Sequence, residues 1–270
     1  MRFTDILTVA RREVGVTFRG KRGVLLASIL VGLAAVPSLI RLMGQHSANA
    51  TQLQRAHVAA LVKIYDRDIA RVLVDCPPAL VVVALATFFF QPFFVLLAGS
   101  DRVASEIDSG SIRYWTVRAP RPGIVLGKAL GLWAVVALLT VAVQAAITVV
   151  AVVDQPHDWS WTLRWAGEIM IYSCATALVY ASLCTFLGVL LARPRLVFVV
   201  GMAVVFVLRI ARTALRDRQV DRIASILPGS LDQMFLTTGA GAKLAASAVV
   251  AGWSAVLLLA AAVVFQRRSV

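Results

Sequence analysis

The chain has 270 residues, 60% of them hydrophobic, and a mean hydropathy of +0.83. A soluble domain averages about 45–50% apolar residues, so an ordinary globular domain is excluded. The formal net charge is +13; the basic residues flank apolar runs, which fits anionic lipid head groups rather than nucleic acid.

Residues 1–22 come first. Phe3, Ile6, Leu7, Ala10, Val14 and Phe18 recur at helical spacing, with Arg2, Asp5, Arg11, Arg12, Glu13 and Arg19 assigned to the other side. That pattern predicts a basic amphipathic helix in the membrane interface, either a lipid anchor or a docking face for a cytoplasmic partner. It lacks a cleavable leader's short apolar region with a small-residue cleavage site.

Residues 23–270 are read as an all-α polytopic domain of six spans, at about 24–43, 79–98, 125–153, 163–192, 196–210 and 243–265. Crossing a hydrocarbon core of roughly 30 Å takes about 20 helical residues, and in lipid the backbone must pair with itself. Pro37 should kink the first span, and Gln91-Pro92 lies inside the second. The third is long enough to tilt or project. The fifth is short unless its helix continues through Arg212 and Arg216. Two larger loops, 44–78 and 211–242, fall on the side opposite the termini. Basic residues near membrane ends favour cytoplasmic termini; the expected location is a bacterial cytoplasmic membrane.

The polar insert 99–122 separates spans two and three. Asp101 or Ser105 is expected to cap a short helix, with acidic groups near its positive end, and Gly110 to end it.

Motifs for chemistry are sparse. Gly123 to Ala129 superficially suggests a phosphate loop, but three residues separate the glycines instead of four, and Lys128 precedes Ala129 instead of Ser or Thr. The chain is therefore expected to carry no ATPase site, cofactor or metal of its own. Asp154, His157 and Asp158 are read as a solvated turn, and Cys76, Cys174 and Cys184 as small buried thiols. Gln144 in span three, and Arg209, Arg212 and Arg216 on one helix face, are candidates for a substrate path. For Gln144 the competing reading is helix–helix glue; for the arginines it is snorkelling. Gly127 and Gly131 form a small-xxx-small pair that allows close helix approach.

On these motifs the chain resembles permeases of the ABC type-2 transporter family. The matching residues are Ala10-Arg11-Arg12-Glu13 and Arg19-Gly20-Lys21-Arg22 before span one, and Glu106-Ile107-Asp108-Ser109-Gly110-Ser111 after span two. Ala119-Pro120-Arg121 and Gly127-Lys128 lead into span three; Ala192-Arg193-Pro194-Arg195 and Phe265-Gln266-Arg267-Arg268 complete the set. The long loop 44–78 departs from the shorter connection of many members. The resemblance implies export powered by two separate cytoplasmic ABC ATPase subunits that bind ATP and Mg, and a second copy or paralogue of the permease. It makes the insert a coupling helix, with ATPase contacts at Asp101, Arg102, Ser105, Glu106, Ile107, Asp108, Ser109, Gly110 and Arg113. A membrane-embedded lipid-modifying enzyme, or a non-enzymatic assembly or immunity protein, remains as the alternative.

Overall fold

The computed structural model describes residues 3–19, 69, 73, 76, 78–117, 119–154, 159–217, 226–236 and 239–267. The expected first span at 24–43, most of loop 44–78 and the turn at 155–158 lie outside them. The described residues form helices and turns, with no strand among them. In chain order they are α1 (Phe3–Arg19), α2 (Pro78–Gly99), α3 (Ala104–Asp108), α4 (Arg113–Thr116), α5 (Arg121–Asp154), α6 (Trp159–Leu191), α7 (Pro194–Asp217), a short turn of 3-10 helix (Pro228–Ser230), α8 (Leu231–Leu236) and α9 (Ala240–Arg267).

Among the described residues, five helices are long and apolar enough to cross a membrane: α2, α5, α6, α7 and α9. The chain is a polytopic all-α membrane protein. At about 1.5 Å per residue the 34 residues of α5 reach well past a 30 Å core, so this helix tilts or projects beyond it. Helix α7 does continue through Arg212 and Arg216, to Asp217, beyond the 196–210 expected for the fifth span. The loop expected at 211–242 therefore begins later, and it contains α8.

Helix α6 is the hub, packing against α2, α5, α7, α8 and α9. Its buried residues Ala177, Ala181, Cys184 and Leu187 meet Val95, Leu96 and Ala98 of α2, Leu132 and Val136 of α5 and Val197 of α7. Small residues on α6 let the backbones come close, which is how helices associate where lipid removes the hydrophobic drive.

A buried polar cluster crosses this core. Gln91 is 2% exposed. Its Nε2 donates to the Ser173 carbonyl at 2.5 Å, and its Oε1 accepts from Thr176 Oγ1 at 2.6 Å. Gln144, also buried, donates to Ser173 Oγ at 3.0 Å, and Trp133 Nε1 donates to the Cys174 carbonyl at 2.8 Å. α2, α5 and α6 are pinned in register by these bonds.

Candidate functional site

The site is the end of the bundle where α1, the insert and the start of α5 meet. Helix α1 turns Ile6, Val9, Ala10, Glu13, Val14 and Thr17 inward, and leaves Leu7, Arg11, Arg12 and Val16 exposed. Of the expected apolar face, Ile6, Ala10 and Val14 are thus on the packed side and Leu7 is not. Glu13 is the correction: it was assigned to the solvent face and is 7% exposed. The reason is tertiary, because this carboxylate finds two cations on other elements.

α1 seats on α5 through Gly127 and Gly131. A Cβ on Gly127 would lie 2.7 Å from Val9 Cβ, and one on Gly131 would lie 2.6 Å from Glu13 Cβ. Two glycines one turn apart cut a shallow groove in α5, and α1 lies in it. The small-xxx-small pair brings the amphipathic helix onto the span.

Lys128 lies in the turn between these glycines and is 2% exposed. A buried ammonium is tolerated when its three protons find acceptors. Here they do: Glu13 Oε1 at 2.8 Å, Glu106 Oε1 at 2.9 Å and the Arg102 carbonyl at 3.2 Å. Arg102 holds the other side of Glu13. Its Nη1 donates to Glu13 Oε2 at 2.7 Å and to the Glu13 carbonyl at 3.0 Å, its Nη2 donates to Thr17 Oγ1, and its Nε reaches the Ala98 carbonyl at 3.3 Å. Two carboxylates and two cations balance to zero, which removes most of the cost of burying them. Burial by itself would raise the Glu13 carboxyl, but Lys128 and Arg102 outweigh it and hold the group below the usual carboxylate value.

The insert is folded onto the bundle rather than hanging free. Val103, Ile112 and Ala119 are buried with Ile124 and Val125 of α5, Val189 of α6 and Ala261 and Phe265 of α9. The residue before α3 is Val103, and no side chain caps the helix. The expected cap by Asp101 or Ser105 is therefore corrected: Ser105 already lies in the first turn and its hydroxyl donates back to the Asp101 carbonyl. Gly110 follows α3 with φ +69°, a left-handed conformation that glycine adopts without steric cost. The break lets α4 fold back, and Arg121 then donates to the Phe265 and Gln266 carbonyls, tying α5 to the end of α9.

Of the residues expected to contact a partner, Arg102 and Glu106 point into the ion-pair network. Ser105, Asp108, Ser109 and Arg113 are exposed, while Asp101, Ile107 and Gly110 are half-buried. Next to them, Tyr114 is 80% and Val117 is 87% exposed. Between α1 and the insert lies a groove of about 700 Å³, lined by Thr8, Val9 and Arg12 on one side and Glu106, Tyr114 and Trp115 on the other. The Arg12 guanidinium stacks on Trp115, 4.5 Å from the ring centroid.

The substrate-path candidates are not gathered into one site by this fold. Gln144 faces α6 inside the bundle. Arg209 and Arg212 are half-buried on α7, and Arg209 contacts α2. Arg216 lies on α7 near its C-terminal end. Sequence reasoning gave Lys128 only as part of a Gly-Lys pair and did not join Glu13 to it. The available signal was the column Val9, Glu13, Thr17, spaced four apart, which has the period of a packed helix face.

The family model described as ABC-2 family transporter protein matches residues 7–270. A comparison with curated proteins found no match.

Proposed function

The chain belongs to the ABC-2 transporter family and is a membrane permease component of an ABC transporter; on that premise we propose that separate cytoplasmic ATPase subunits drive it, and that α1 and the insert together receive their stroke. The observation that carries this reading is the Lys128 ammonium, shared between Glu13 of α1 and Glu106 of α3 at 2.8 and 2.9 Å. Because Lys128 is part of α5, a push on either α1 or the insert is delivered to a membrane-spanning helix through charge-assisted contacts that are shielded from water.

The outward side of the same unit supplies the contact surface. Ser105, Asp108, Ser109 and Arg113 project from it, the groove beside Trp115 offers an aromatic seat, and Arg12 lines it. In this reading both termini are cytoplasmic, ATP and Mg are bound by the ATPase subunits, two copies or paralogues of the permease flank a shared path, and transport runs outward in a bacterial cytoplasmic membrane.

The test is co-purification of the full chain with its ABC ATPase, followed by Glu106→Arg with Asp108→Arg in the same complex. Loss of ATPase association, or about a tenfold fall in permease-dependent ATP hydrolysis, is expected from placing like charge beside Lys128 and reversing the exposed contact. Unchanged association and hydrolysis would remove the insert from the coupling role.

A further inference from the structure

We propose that Arg209 of α7 clamps a proline break in α2, so that these two spans bend and move as one unit. The argument begins with Pro92, which lies inside α2. Proline has no N–H, so the carbonyl four residues earlier loses its helical donor, and the ring crowds that same carbonyl. The carbonyl belongs to Phe88. At about 1.5 Å per residue Phe88 lies roughly 16 Å along the helix from Gly99, well inside a candidate membrane span, and a hydrocarbon core offers no donor to replace the missing one.

Arg209 fills the gap. Its Nη2 donates to the Phe88 carbonyl at 3.1 Å and to the neighbouring Phe89 carbonyl at 3.2 Å. Its guanidinium also lies over the Phe89 ring, 4.7 Å from the centroid. One side chain thus holds the freed carbonyl, the carbonyl beside it and the adjoining aromatic ring. One guanidinium nitrogen makes both bonds, while the flat, delocalised group of which it is part lies against the ring, a contact that a compact ammonium does not reproduce. The contact falls at the break: one of its two acceptors is the carbonyl of α2 that Pro92 deprives of a donor.

The mechanical consequence follows from position. Helix α2 runs from Pro78 to Gly99 and leads directly into the insert, so displacement of the insert enters α2 below the break. An unclamped proline break would absorb that displacement as a change of bend. With Arg209 in place the bend is fixed and the displacement passes to α7. This consequence for transport rests on the proposed function, whereas the clamp itself does not.

A double-mutant cycle on the full-length protein in lipid nanodiscs tests the clamp without any ATPase. Arg209→Gln should lower the thermal midpoint, and the loss should shrink by about half or more in a Pro92→Ala background, where residue 92 again donates to Phe88. Arg209→Lys should recover part of the loss. Spin labels at positions 82 and 100, in a cysteine-free background, should give a narrow distance distribution that broadens with Arg209→Gln and narrows again with Pro92→Ala added. Equal losses in the two backgrounds, or a distribution that Arg209→Gln leaves unchanged, would overturn the clamp. The labels still report if the change in midpoint proves too small to resolve.

Discussion

Glu13 and Lys128 are 115 residues apart in the chain and 2.8 Å apart in the fold. The pair ties an amphipathic helix to a membrane-spanning one, and Arg102 and Glu106 bring the insert into the same contact. This end of the permease is therefore one electrostatic unit built from three segments.

Removing one member should be costly. Lys128→Met leaves Glu13 and Glu106 close together without the cation between them, and breaking a buried pair in this way costs about 3–5 kcal/mol. Thermal unfolding in detergent should show that loss. The double variant Glu13→Gln with Lys128→Met should be less destabilised than the two single losses added together, because both changes remove the same Glu13–Lys128 contact. Additive losses would mean that the two groups do not act as a pair.

Low pH should loosen α1 from the bundle. The folded-state pKa of Glu13 is depressed below its ordinary value of 4.5, since Lys128 and Arg102 outweigh the opposing effect of burial. A carboxyl of this kind adds stability that is fully present above its unfolded pKa and is lost as pH falls through the folded one. Hydrogen exchange of α1 amides, corrected for the intrinsic rate, should stay protected near neutrality and rise only below about pH 4.5. The Glu13→Gln variant should show no such rise; a rise of equal size in that variant would assign the acid sensitivity to another group.

Gly127→Val should unseat α1 more than it disturbs the span itself. The first added carbon already falls 2.7 Å from Val9 Cβ, and overpacking of this kind costs about 1–3 kcal/mol. Limited proteolysis should cut within α1 in the variant and spare it in the parent. The same cleavage pattern in both would mean that α1 does not depend on this groove.

Gln91→Leu should weaken the contact between α2 and α6. It removes the donor to the Ser173 carbonyl and the acceptor for Thr176. Interhelical hydrogen bonds in membranes are worth about 0.6 kcal/mol on average and up to about 1.7, so a loss in the upper part of that range is expected for two short, buried bonds. Chemical unfolding in mixed micelles would measure it, and a gain in stability would show the bonds to be dispensable.

The spans after the insert, the insert itself, the close-packing glycines and the helical character of residues 3–19 were all legible in the sequence. Each rests on a local property: an unbroken apolar run, a charge-dense interruption, a one-turn spacing or a 3.6-residue period. What the tertiary structure alone decided is which charges face inward. Periodicity assigns an isolated glutamate to solvent, because burying a lone carboxylate is prohibitive; only the approach of Lys128 and Arg102 from other segments reverses the sign of that cost. The fold likewise decided that Arg209 holds the carbonyl freed by Pro92. A proline announces a missing donor in the sequence, but the residue that replaces it is set by which helix packs alongside.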